Sequence, residues 1–147
     1  MIGNPITQLE QLTLNSSAKS FLKEISKWAF FLSIIGFIGI GFLVILAIFS
    51  SVIFSAIPQA KLVPFDLGIA MTILYLLLAV LCFFPVYYLM QFSAKMKKAL
   101  ATKNDETLAN SFQVLKSHYK FIGVFTIITM SLYVMLIVVS MISGAFL

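Results

Sequence analysis

Chemistry in this 147-residue chain would have to come from very few side chains. There is one histidine, His118, one cysteine, Cys82, and a scatter of charged groups, so an enzyme would have to draw its reactive groups from Lys97, Lys103, Asp105, Glu106 and His118. No spacing among them suggests a reaction. A zinc hydrolase needs two histidines four apart with a glutamate next to the first, and a Ser or Cys nucleophile needs a histidine deep enough to serve it. The apolar runs hold neither arrangement, and no pair of intramembrane aspartates either. One histidine cannot give bis-His haem ligation, and a His/Met pair would have to use His118 at the mouth of an apolar run. Gly36-Phe37-Ile38-Gly39-Ile40-Gly41 is no phosphate loop, because it lies inside such a run, where glycine instead lets helices approach closely. Cys82 reads as a small core residue, and a single cysteine leaves no intramolecular disulfide. The reading assigns no catalytic residue, no metal and no cofactor.

The elements that carry these residues follow from composition. Apolar residues make up 61% and charged ones 10% of the chain, against roughly 45–50% and 25% in a soluble domain. With a mean hydropathy of +1.08, too few polar side chains remain to cover a globule, so lipid is the expected solvent and a disordered, collagenous or disulfide-built chain is excluded. The length allows one domain. Charge-free runs cover 28–60, 67–94 and 121–147, each beyond the ~20 residues that cross ~30 Å of hydrocarbon. The predicted fold is therefore an all-α integral membrane protein with three transmembrane helices, spans at about 28–57, 66–92 and 119–145. A β-barrel would need in/out alternation, which the runs lack. The first run is too long for a signal-peptide core and no small-residue cleavage site follows it, so it is expected to be retained.

Charge sets the direction of insertion. The net charge of +5 comes from ten lysines and no arginine, which argues against nucleic acid as a partner, since arginine is preferred for bidentate phosphate and base contacts. Lys19, Lys23 and Lys27 precede the first span; Lys95, Lys97, Lys98, Lys103 and Lys116 lie between the second and third, with Lys120 at its edge; only Lys61 falls in the first loop. The positive-inside rule then predicts a cytoplasmic (inner) membrane protein with the N-terminus and the 93–118 segment cytoplasmic and the C-terminus outside. Trp28, Tyr87, Tyr88 and Tyr119 fall near the inner headgroup level, where amphipathic rings are enriched.

Outside the bilayer, 1–14 reads as a tail. Asn15 or Ser16 can cap an amphipathic helix over 16–27 that feeds directly into the first span, with Ala18, Phe21, Leu22, Ile25 and Ala29 on one stripe and the lysines on another. A break at Thr102-Lys103-Asn104-Asp105 divides 93–118 into a helical hairpin: 93–100 is expected to continue the second span, and Asn104 or Asp105 can cap a new helix in which Leu108, Phe112, Leu115 and Tyr119 recur at helical spacing. That stripe needs a partner, either the N-terminal helix of the same chain or another protein. Within the spans, Ala47, Ser51 and Ser55, besides Ser33, Gly36 and Gly39, and Thr126, Thr129, Tyr133, Ser140 and Gly144 form small or polar stripes suited to helix packing. Pro85 is expected to kink the second span near its inner end, and Asp66 to cap or anchor it outside.

Together, Ile25-Ser26-Lys27-Trp28, the glycine run at 36–41, Phe84-Pro85-Val86-Tyr87-Tyr88-Leu89 and Leu115-Lys116-Ser117-His118-Tyr119-Lys120-Phe121-Ile122-Gly123 resemble a family of small bacterial membrane proteins, found chiefly in bacteroidetes and known as a domain of unknown function. The resemblance covers about residues 16–147. It implies a multi-span helical protein of the cytoplasmic membrane and supplies no activity or catalytic residue. Residues and resemblance lead to one functional expectation: a non-enzymatic small subunit, scaffold or regulator of a membrane assembly. Its expected partners are the lipid bilayer and either copies of itself or other membrane proteins. The alternative is a homo-oligomeric channel or small-solute permease lined by the Thr126, Thr129 and Tyr133 stripe.

Overall fold

The computed structural model of the chain describes residues 14–58 and 64–145. The tail, except Leu14, and Lys61 in the first loop lie outside these residues. Three long helices make up almost all of what is described: α1 (Ser16–Ser55), α2 (Leu67–Thr102) and α3 (Asp105–Ala145). Each contains a stretch long and apolar enough to cross a membrane, and there is no strand among the described residues. The helices begin where short polar side chains can satisfy the first free N–H groups. Asn15 Oδ1 accepts from the Ala18 N–H at 2.7 Å, Asp66 Oδ1 from Ile69 at 3.0 Å, and Asn104 Oδ1 from Thr107 at 2.8 Å. Asp66 is thus the cap of α2, and Asp105 and Glu106 occupy the first turn of α3, where the helix dipole favours negative charge.

The region 16–27 forms the first turns of α1 and runs directly into the apolar stretch without a break. Its inward face is narrower than the sequence stripe, with Ala18 and Leu22 half-buried and Ala29 buried, while Phe21 and Ile25 are exposed. Likewise α2 continues past the second span to Thr102 and runs unbroken through Pro85. The chain then turns in two residues. Lys103 adopts a left-handed conformation (φ 51°) and the Asn104 N–H reaches back to the Ala99 carbonyl, which closes the end of α2 in the manner of a Schellman motif.

A repeat of 3.5 residues holds α1 to α2. Along α1 the inward positions are Ser26, Ala29, Ser33, Gly36, Ile40, Leu43, Ala47 and Ser50, alternately three and four apart, and all are buried or half-buried. On α2 the facing positions include Gly68, Thr72, Tyr75 and Ala79, then Val86, Leu89, Ser93 and Met96. This period is that of a left-handed coiled coil. Small residues make the approach close: a Cβ on Gly36 would lie 2.5 Å from Val86 Cγ2, and one on Gly68 would lie 2.7 Å from the Ser51 Cα.

Hydroxyls replace apolar contacts at both ends of the seam. The Ser93 hydroxyl donates to the Ser26 carbonyl at 2.6 Å, tying α2 to α1 across the helix interface. Toward the other end, the Ser50 and Thr72 hydroxyls share the carbonyls of Ala47 and Gly68 in one cluster. The larger apolar contacts gather at the lysine-rich end, where Ala29, Phe92 and Met96 are buried and Leu22, Leu89, Leu100, Leu108, Val114 and Leu115 pack around them.

Helix α3 joins α2 through Leu108, Ser111, Leu115, His118 and Phe121, and then leaves it. From 122 to 143 every residue but the half-buried Thr129 is exposed.

Candidate functional site

Because all three helices contribute to the lysine-rich end, residues from separate elements surround an opening there. Its floor is α2, through Leu89 and the fully buried Phe92. One wall is α1, through Ile25, Trp28, Ala29 and Leu32, and the other is α3, through Leu115 and Tyr119. The crevice holds about 620 Å³, and Glu24 is the charged residue on its lining. Along the outer side of α1 a second hollow shares Glu24 and Trp28 with it and adds Ser20, Lys23, Lys27 and Phe31. The site is therefore an apolar cleft with a mouth that carries both signs of charge. It can seat a hydrocarbon group whose polar end is anchored outside, and it contains no nucleophile with a base beside it. Among the described residues no cluster of three His, Cys, Asp or Glu could hold a metal ion.

Interhelical polar contacts frame this end of the molecule. His118 Nδ1 lies 2.8 Å from the Pro85 carbonyl oxygen; since a carbonyl only accepts, Nδ1 carries the proton in this bond. His118 is thus a tie between α3 and α2, a role the sequence did not suggest. Lys97 Nζ stands 4.3 Å from the centroid of the Phe30 ring, a cation–π contact between α2 and α1. Within α2 itself, the Tyr87 hydroxyl accepts from Gln91 Nε2 at 2.6 Å.

The residues singled out from sequence fall into groups. Gly36 and Ala47 lie in the α1–α2 seam, and the Ser51 backbone meets Gly68 there. A Cβ on Gly39 would meet nothing within 4 Å, and Ser55 is exposed with its hydroxyl bonded to the Val52 carbonyl of its own helix. Leu108 and Leu115 of the hairpin stripe pack into the core cluster, so the partner of that face is largely the chain itself; Phe112 is 43% exposed and Tyr119 66% exposed. Thr126, Tyr133 and Ser140 are exposed on the free part of α3. Thr129, Ser131 and Ser140 each donate to the carbonyl four residues earlier. The surroundings of Gly144 lie outside the described residues. Trp28, Lys19, Lys23, Lys27, Lys97 and Lys98 are exposed, as is Tyr87, while Tyr88 and Lys95 are half-buried.

Of the buried hydroxyls, none more than 1% exposed, Ser33 was among the packing residues read from sequence, whereas Ser26, Ser50, Ser93 and Ser111 were missed. A signal was present. The 3.5-residue alternation from Ser26 to Ser50 runs through the α1 sequence and marks the contact face.

Comparison with known proteins adds a family and no activity. The model of a family described as Family of unknown function (DUF5362) matches residues 67–141. The match starts with α2, ends near the end of α3, and is shorter than the stretch 16–147 over which the sequence resembles such a family. No curated protein and no solved structure matches the chain.

Proposed function

The chain belongs to DUF5362, a family of unknown function, and from that premise we propose that it is a multi-pass protein of the bacterial cytoplasmic membrane. In this reading its N-terminus and hairpin face the cytoplasm and its C-terminus the outside. It acts without chemistry of its own, as a small subunit, scaffold or regulator of a larger membrane assembly. The observation that carries the assembly reading is the free part of α3. A helix that packs on its own chain as far as Phe121, about its first five turns, and then runs bare through its apolar stretch offers a complete helix surface to a neighbour. Lipid can cover that surface too, so the test must distinguish lipid from protein.

A photo-crosslinking residue placed in turn at Ile127, Val134 and Met141 in native membranes does so. A reproducible adduct with one other membrane protein is the expected result. Adducts with lipid alone at all three positions would remove the assembly reading. Adducts with a second copy of the chain would favour the alternative, a homo-oligomeric channel or small-solute permease lined by Thr126, Thr129 and Tyr133. The self-bonded hydroxyls of Thr129, Ser131 and Ser140 count against a polar path, because back-bonded groups need no water or neighbour.

A further inference from the structure

Side-chain pairing across the helices fixes which residues share a depth. Ser93 bonds Ser26 and Val86 meets Gly36, while Ser111 contacts Met96, His118 bonds Pro85 and Phe121 meets Phe84. In this register Lys27, the last charge of α1, stands level with Phe92. On α3, however, lysines persist to Lys120, which stands level with Pro85 and hence with Gly36. Positions 28–35 of α1 and 113–120 of α3 therefore share about 12 Å of depth at 1.5 Å per residue. One side of this band is Trp-Ala-Phe-Phe-Leu-Ser-Ile-Ile and suits hydrocarbon; the other carries Lys116, His118 and Lys120 and suits headgroups. Below the band, 36–55 of α1 and 85–67 of α2 each cover about 28 Å, close to the ~30 Å of a hydrocarbon core.

The crevice straddles the lysine-rich edge of the mismatched band, with Trp28, Ala29, Leu32, Leu115 and Tyr119 inside the band and Phe21, Glu24 and Ile25 beyond it. We propose that it seats one phospholipid of the surrounding bilayer that bears a primary amine, of the phosphatidylethanolamine class. One acyl chain lies between Ile25, Trp28 and Leu32 of α1 and Leu115 and Tyr119 of α3, over Phe92. Its phosphate meets Lys23 and Lys27, and its ammonium meets Glu24. The volume of about 620 Å³ falls within the usual range for ligand sites, and most of the lining is apolar, as such sites require. The choice of headgroup follows from charge. An anionic headgroup would bring a second negative group to Glu24, whereas an ammonium beside a phosphate matches a carboxylate beside two lysines. A choline headgroup has no N–H to donate to the carboxylate. The proposal rests on the bilayer placement given above, and its test reads the two separately.

The full chain would be reconstituted in vesicles of equal parts phosphatidylethanolamine, phosphatidylglycerol and phosphatidylcholine. It would then be extracted mildly and its retained lipids counted by native mass spectrometry. Phosphatidylethanolamine should be retained over phosphatidylglycerol by roughly threefold, the scale of one partly exposed ion pair. Glu24→Gln, at an exposed position, should bring that ratio to about one. Ile25→Trp, which fills the α1 wall, should lower total retained lipid. Preferential retention of phosphatidylglycerol, an unchanged ratio in Glu24→Gln, or undiminished lipid in Ile25→Trp would each overturn the site. Carbonate extraction of the same vesicles tests placement: a chain washed out with the supernatant would overturn the bilayer reading and this site with it. A chain that stays inserted without the lipid preference overturns the site alone.

Discussion

A methyl group added at Gly36 and one added at Gly68 meet different obstacles. At Gly36 it meets the Val86 side chain, which a smaller residue can clear. At Gly68 it meets the Ser51 backbone, which only separation of the helices can clear. Gly36→Ala should therefore cost about 1–3 kcal/mol as an overpacking change and be largely restored by Val86→Ala. Gly68→Ala should cost at least as much, with no side-chain substitution at Ser51 restoring it. Reversible unfolding in mixed micelles would measure both, and equal rescue at the two sites would show that the backbones are not in contact. Ser93→Ala removes the hydroxyl that reaches the Ser26 carbonyl and leaves that carbonyl available to its own helix, so the expected loss is about 0.6–1.7 kcal/mol. A larger loss would mean that Ser93 has a further role at the core cluster.

At the scale of the element, the turn between α2 and α3 rests on a lysine in a conformation that glycine adopts freely. Lys103→Gly should stabilise the protein by about 1 kcal/mol, and Lys103→Val should destabilise it, because a Cβ is penalised in the left-handed region. The comparison of melting temperatures in one detergent decides it. His118→Phe keeps a ring at the same place but deletes the donor to Pro85. The amides of 114–121 should then exchange faster with deuterium than in the parent, while those of α1 remain unchanged. Helix existence was legible from sequence, because continuous apolar runs have one solution in lipid, and the caps at Asn15, Asp66 and Asn104 were legible from residue type. The inward faces were only partly so. Where most exposed positions are as apolar as the buried ones, as for Phe112 against Leu115, hydrophobic periodicity loses contrast, and the contact face is written in small residues and hydroxyls instead. The crevice was not legible at all, since its lining comes from three helices whose relative depth depends on the pairs Ser26 with Ser93 and Pro85 with His118.

For the whole molecule, the division is between a packed pair with a shared core at one end and a third helix that is free at the other. Replacing Val134, Ile137, Val138 and Met141 together by leucine should leave the melting temperature within a few degrees, because none of these side chains is buried in the chain. It should reduce crosslinking to a protein neighbour from α3. Loss of thermal stability would instead show that the free helix packs on its own chain in the membrane. The hydroxyl tie at Ser93, the core cluster and the closed turn at Lys103 join the lysine-rich half into one continuous rod. From Pro85 to Thr102 that rod rises about 26 Å above the depth of Lys120. A tilt of about 10° at its base would carry the turn sideways by roughly 4–5 Å. A small change of angle at the base is in this way converted into a larger displacement at the tip, so that the rod has the geometry of a lever.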